Sequence, residues 1–252
     1  NIYAVKLDSG EMIWNRSTDG GIAATPAIDV ENRQVLFGSE DYTFSAVDQR
    51  DGRMNWTHTT KDKLRGTARM AHGYAFFGSD DGRLYALIAA NGRYQWEYEA
   101  GAPIRSRPYV TSDRIIFGTE GGEVIGLELN GSRKWSMRIK KSVQSSPIVD
   151  REGMCYVGAF DGFLYAIDTQ NGYSQWRYRT LGPIIASPAL MDEFVYITST
   201  DGKLYCINTQ TGRERWSLSV DSPIVSSPTV HNDVVYFGGT NNKLYAVDAK
   251  TG

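Results

Sequence analysis

Six tryptophans set the period of this chain. Trp14, Trp56, Trp96, Trp135, Trp176 and Trp216 follow one another at 42, 40, 39, 41 and 40 residues, and each lies four residues after a glycine, from Gly10 to Gly212. Twelve residues after each ring comes Pro26, Ala68, Pro108, Pro147, Pro188 or Pro228, with Ala68 the one break. A further series, Gly38, Gly78, Gly118, Gly158, Thr198 and Gly238, keeps a spacing of 40. Recurrence at this period marks stacked supersecondary units, none of which buries its apolar face alone.

Each unit reads as four short strands. In the stretch from Ala186, Ser187-Pro188-Ala189-Leu190 is the first, and Asp192-Glu193 turns it into Phe194 to Thr198. Thr200-Asp201-Gly202 leads into Leu204-Tyr205-Cys206-Ile207, and a turn ending at Gly212 leads into the strand around Trp216. The repeated Asp48, Asp168 and Asp248, with Asn208, precede the turn glycines and read as turn caps. Short strands between turn signals, with no helical periodicity, predict an all-β chain. The architecture expected is a β-propeller of four-stranded antiparallel blades, in six repeats of about 40 residues, forming a single domain over residues 1–252.

Side-chain size orders the strands within a blade. Small segments before the prolines (Ala23-Ala24, Ser145-Ser146, Ala186-Ser187, Ser226-Ser227) place the first strand innermost, where space is least. The tryptophan strand goes to the wide rim, and all six rings are read as blade-to-blade docking residues. Small residues at Ala4, Ala46, Ala86, Gly126, Ala166 and Cys206 are expected to receive a neighbouring indole. Tyr85, Tyr165, Tyr205 and Tyr245 share one slot and belong to the core. The chain holds seven third strands against six of every other kind. Six blades follow if a strand near residues 11–17 completes the last blade; the alternative is an arc of a larger ring.

Composition narrows the function classes. A net charge of −2 gives no general argument for nucleic acid or anionic membrane, and no apolar run is long enough to span a bilayer. Cys155 and Cys206 fall in slots held elsewhere by small apolar residues and are read as buried thiols. His58, His72 and His231 lack ligand spacing, so no metal is expected. Residue 1 is Asn, which fits a processed product or a region of a larger polypeptide.

The pattern Leu-Tyr-Ala-Ile-Asp…Gly…Trp, as at Leu164 to Trp176, resembles the tryptophan-docking repeat of pyrroloquinoline-quinone-like propellers. The residues after the six rings include no Asp, which separates the chain from WD-repeat propellers. The resemblance implies either a quinoprotein dehydrogenase or a non-catalytic relative of the BamB-like or kinase-attached kind. Quinone enzymes of that family carry adjacent cysteines and a free indole at the cofactor; here the two cysteines are 51 residues apart and every indole holds a docking position. The resemblance therefore implies a scaffold for protein–protein interaction, outside the cytoplasm, with no cofactor. A ligand-sensing domain of a receptor or kinase is the alternative.

Departures from the repeat point to a binding site. Three residues before the proline slot stand Ala23, Gln144, Ile185 and Val225 in four repeats, but Arg65 and Arg105 in two. Arg107 replaces a hydroxyl residue before its proline, and Arg69 follows Ala68. Strand parity puts Arg65 with Arg69 and Arg105 with Arg107 on shared faces. These four arginines are expected to form a cationic patch at one mouth of the channel. It would suit an acidic peptide segment of another protein, a carboxylate or a phosphate. The competing reading is a solvated rim of internal ion pairs.

Overall fold

The computed structural model describes residues 1–252, and all of its regular structure is strand. Contacts divide the chain into two compact parts, Asn1–Val110 and Thr111–Gly252.

The first part opens with β1 (Ile2–Val5) and β2 (Met12–Arg16), which pair with each other as a two-stranded sheet. The strand carrying Trp14 thus pairs with the strand just before it in sequence. A four-stranded sheet follows: β3 (Ala27–Asp29), β4 (Gln34–Gly38), β5 (Thr43–Asp48) and β6 (Met54–Thr59), in sequence order. The next comprises β7 (Arg69–Ala71), β8 (Tyr74–Gly78), β9 (Arg83–Ile88) and β10 (Tyr94–Glu99). β11 (Tyr109–Val110) ends this part. First strands approach one another, β3 to β7 and β7 to β11.

The second part holds β12 (Arg114–Gly118), β13 (Glu123–Glu128) and β14 (Arg133–Arg138), paired in that order. Two four-stranded sheets come next. One is β15 (Ile148–Val149), β16 (Met154–Gly158), β17 (Phe163–Asp168) and β18 (Ser174–Arg179). The other is β19 (Ala189–Met191), β20 (Phe194–Thr198), β21 (Lys203–Asn208) and β22 (Glu214–Ser219). A three-stranded sheet closes the list: β23 (Thr229–His231), β24 (Val234–Gly238) and β25 (Leu244–Asp248). β19 lies against β23. No fourth strand covers β25, and Leu244 is 78 % exposed where its repeat counterpart Leu204 is 0 %.

Both faces of the middle strands are buried, which is why their sequences run apolar instead of alternating. Alternate residues of one strand serve two cores. Tyr156, Ala166 and Trp176 of one sheet pack with Val195, Ile197, Tyr205 and Ile207 of the next. Tyr196 and Cys206, on the other face of that next sheet, pack with Val235, Phe237 and Val247. In the first part, Phe44 stacks on Phe77 with ring centroids 3.9 Å apart. Burying this much aromatic and aliphatic surface, at about 1.5–3 kcal/mol per large side chain, is what stabilises sheets of such short strands.

The third-to-fourth-strand hairpin is one solution used repeatedly. Asp168 Oδ1 accepts the Gln170 N–H at 2.7 Å, and the Gly172 N–H returns to the Asp168 carbonyl at 2.8 Å. A β-bulge follows: Ala166 pairs with Trp176 and Ile167 with Ser174, so Gln175 is the extra residue. Bulges sharpen local twist and re-aim a side chain. Similar register shifts stand next to Trp14, Trp56, Trp96, Trp135 and Trp216.

That register corrects one expectation. The small residues opposite the rings face the tryptophan of their own hairpin, as Ala46 faces Trp56 and Cys206 faces Trp216, because cross-strand partners share a face. At Gly126 a Cβ would stand 2.2 Å from Trp135 Cε2. The contact with the following repeat is made elsewhere. Trp14, Trp56, Trp135, Trp176 and Trp216 donate Nε1–H to the carbonyls of Gln49, Ala89, Thr169, Thr209 and Ala249 at 2.8–3.2 Å. Their ring faces lie on the turn glycines of the same repeats. Gly172, at φ +76°, shows why: a Cβ there would meet Trp135 at 2.6 Å.

Candidate functional site

The segments leading into the first strands hold the unusual charges, all within the first compact part. Arg65 lies between two carboxylates, with Nε 2.7 Å from Glu40 Oε1 and Nη1 2.8 Å from Asp80 Oδ2. Arg105 holds the same Asp80 with Nε at 2.9 Å from Oδ1 and Nη2 at 3.2 Å from Oδ2. Asp80 is nearly buried and grips two guanidiniums, a forked geometry that arginine makes and lysine does not. The Arg65 hydrogen bond holds the Glu40 carboxyl below its ordinary range, and the pair raises Arg65 in turn.

Arg69 and Arg107 are set differently. The Arg69 guanidinium lies over the Tyr109 ring, 5.5 Å from its centroid, and its Nε is buried with no hydrogen-bond partner. Arg107 is exposed. Burial of its inner atoms, with Arg69's charge nearby, lowers its affinity for its proton. The parity argument fails for these residues: regular strand begins only at Arg69 and Tyr109, so Arg65, Arg105 and Arg107 lie in the irregular segments before β7 and β11. Arg65 and Arg105 go to ion pairs, and Arg69 lies over a tyrosine ring.

One signal in the sequence marks the ion pairs. The slot of Glu40 and Asp80 reads Glu120, Phe160, Thr200 and Thr240 in later repeats, so the carboxylates fade where the arginines do. The deep turn aspartates carry another role that the turn pattern alone left unread. Asp201 Oδ1 accepts the Lys203 N–H at 3.0 Å, while Oδ2 accepts the Tyr205 hydroxyl at 2.7 Å and the Leu181 N–H at 2.8 Å. Asp81 repeats all three bonds with Arg83, Tyr85 and Lys61. Burial first, then these bonds to carboxylate, push the Tyr85 and Tyr205 hydroxyls well above their usual range. The tyrosine slot is core, and its polar tip is tied to the frame.

The remaining polar groups offer little for chemistry. Cys155 and Cys206 are buried and unpaired, and burial pushes the Cys206 thiol up to about 11. A thiol held protonated is a poor nucleophile. No group of three or more His, Cys, Asp or Glu stands together as a metal site. A quinone stacked between an indole and an adjacent-cysteine disulfide does not fit these residues: the cysteines are single, and five indoles are hydrogen-bonded into neighbouring repeats.

A family model described as "Outer membrane protein assembly factor BamB" matches residues 1–109, 56–183 and 180–252. The chain belongs to the BamB family. Among solved structures, BamB from Moraxella catarrhalis matches with a TM-score of 0.81 at 22% sequence identity. The match covers 91% of this chain and 73% of that one. At that identity the likeness speaks to the fold, a β-propeller. No curated protein matches the chain. The frame of this chain is built from the tryptophan, glycine and aspartate slots.

Proposed function

We propose that the chain is a non-catalytic propeller scaffold for protein–protein interaction, of the BamB-like assembly type, working in the periplasm or at the cell surface. The observation that carries this reading is the BamB family match along essentially the whole chain. The site chemistry supports it: the recurring tryptophans, aspartates and tyrosines are spent on the frame, and what varies between repeats is displayed on connections. Leu181 shows such a position, with its N–H tied to Asp201 and its side chain 85% exposed.

The test is photo-crosslinking in the cells that make the protein, with the probe placed at Leu181, Tyr42 or Arg107. One recurrent protein partner in the envelope fraction is the expected result. Absence of any adduct from all three positions overturns the reading. So does substrate-dependent dye reduction after loading with pyrroloquinoline quinone and calcium, which would make the chain an enzyme. A ligand-sensing domain of a larger receptor or kinase is the second reading. It is favoured by the unbonded Arg69 Nε, which a small anion would satisfy.

A further inference from the structure

We propose that the outer edge of β18, with Arg177 and Arg179 stacked on Phe163, is a docking strand for an extended peptide that carries acidic residues two apart. Phe163 pairs with Arg179 across β17 and β18, and Tyr165 pairs with Arg177. Cross-strand partners share a face, and both guanidiniums lie over the Phe163 ring, 4.6 and 5.8 Å from its centroid. The aromatic face holds the two forks in place. In the blade of β9 and β10 the same slots hold Arg83, Glu97 and Glu99, and there the charges close on one another at 3.0 and 3.4 Å. Arg177 and Arg179 are exposed and enter no ion pair. Asp161, the acid of the adjoining turn, already accepts the Phe163 N–H at 3.1 Å and the Tyr165 hydroxyl at 2.6 Å.

The backbone of the same two residues is open. β18 is the last strand of its sheet. The Thr180 N–H turns inward, to the Gly162 carbonyl at 2.8 Å. Backbone groups of an antiparallel strand alternate between its two edges, so those of Tyr178 also turn inward and those of Arg177 and Arg179 turn out. Tyr178 sends its ring to the opposite face, against Tyr205 with centroids 5.6 Å apart. A strand added at this edge therefore bonds to Arg177 and Arg179 and sets the residues opposite them on the Phe163 face. Those residues are two apart, and an acid at each answers one guanidinium.

Charged side chains on an edge strand ordinarily keep other strands away. Here the exclusion is selective: a neutral or basic strand leaves two stacked cations unanswered, and an acidic one pairs both. β6 carries Thr57 and Thr59 in these slots, β14 carries Ser136 and Arg138, and β22 carries Ser217 and Ser219. No other blade places two cations there. The two-residue spacing favours a strand over a lipid surface, because headgroups impose no such register and make no ladder bonds.

This inference rests on the scaffold reading, and the two fail separately. The full chain is titrated at low salt with acetylated, amidated Thr-Glu-Val-Glu-Thr while its backbone amide resonances are followed. Controls are the glutamine version, the equally charged isomer Thr-Glu-Glu-Val-Thr, and vesicles of phosphatidylglycerol. One variant is Arg177→Ser with Arg179→Ser, the residues of β22; another is Arg177→Glu with Arg179→Glu, those of β10. An unchanged thermal midpoint verifies folding. Expected results are binding of the first peptide, none of the glutamine version, and the largest shifts at the Arg177 and Arg179 N–H groups. The isomer and the serine variant should each bind at least about tenfold more weakly, the scale of one charge-assisted hydrogen bond. The glutamate variant should reject the peptide and take Thr-Lys-Val-Lys-Thr instead. Equal binding by parent and serine variant overturns the site. Equal binding of the two isomers overturns the strand register. Vesicle binding without peptide binding overturns the peptide assignment in favour of a membrane surface. A parent that ignores the peptide refutes the site yet leaves crosslinking to a partner intact, whereas peptide binding with no crosslinked partner overturns the scaffold reading alone.

Discussion

The hairpins that carry the tryptophans and the segments that enter the first strands follow opposite rules. Around Trp56, Trp176 and Trp216 the same turn, bulge and carbonyl acceptor recur, and at Trp135 the turn is one residue shorter while the bulge and the acceptor remain. The entering segments differ from repeat to repeat: Arg65 and Arg105 in ion pairs, Gln144, then Ile185 and Val225. A ring whose acceptor is a backbone carbonyl of the next repeat finds that acceptor in repeat after repeat, whereas a side-chain pair such as Arg65 with Glu40 is lost when either residue changes. A position facing solvent is free to drift or to acquire a ligand. Departure from a repeat is therefore where to look for function.

The largest test of that contrast is Trp135→Ala. The ring is buried, donates to Thr169 and covers Gly172. Its loss should lower stability by roughly 3–5 kcal/mol, the usual cost of deleting a buried large aromatic. Chemical denaturation measures it, and a loss below about 1 kcal/mol, within the range of an ordinary surface change, would put the ring outside the frame. Next comes Asp201→Ala, which strands the Tyr205 hydroxyl and two backbone N–H groups. We expect a loss of roughly 2–4 kcal/mol, since each buried group left unpaired costs about 1–3. If Asp201→Ala is neutral, water replaces the carboxylate and the turn is not a clamp.

A smaller effect belongs to pH. His58 lies half-buried between Tyr85 and Tyr94, with ring centroids 5.7 and 6.5 Å away. Burial lowers its pKa below the ordinary value, and Glu97 offsets this only in part. The unfolded chain then binds a proton at higher pH than the folded one. Its contribution is complete above the unfolded value, near 6.5, and is lost as pH falls through the lower folded value. His58→Phe should flatten the stability profile in that window. A His58 resonance titrating above 6.5 would reverse the sign and refute this.

The sequence made the frame legible because its signals are local and repeated. All 25 strands fall in the six, six, seven and six of the four kinds that the spacing predicts, and Phe194–Thr198 has its predicted bounds. What stayed hidden depends on pairing across distance. The facing of Ala166 to Trp176 needs the bulge at Gln175, which no residue type announces. The third bond of Asp201, to the Leu181 N–H, spans 20 residues. The ion pairs of Arg65 join residues 25 and 15 positions apart and became readable only by comparing the carboxylate and arginine slots together. Parity misled because the segment before Arg69 is not strand.

The smallest expected effect separates the two regions most cleanly. Arg107→Ser gives the first part the hydroxyl that Ser146, Ser187 and Ser227 hold in the second. It removes an exposed side chain, so stability should change by less than about 0.5 kcal/mol, or rise slightly as the repulsion with Arg69 is lifted. The reciprocal change, Ser187→Arg, removes the acceptor of the Ser146 N–H and should cost about 1 kcal/mol. The same two residues exchanged in opposite directions then give unequal answers, because a serine side chain can accept the backbone N–H that Ser187 accepts and an arginine side chain cannot. Equal costs in the two directions would mean that Arg107 is as much a part of the frame as Ser187. The entering segments could not then be set apart as the variable region of the molecule.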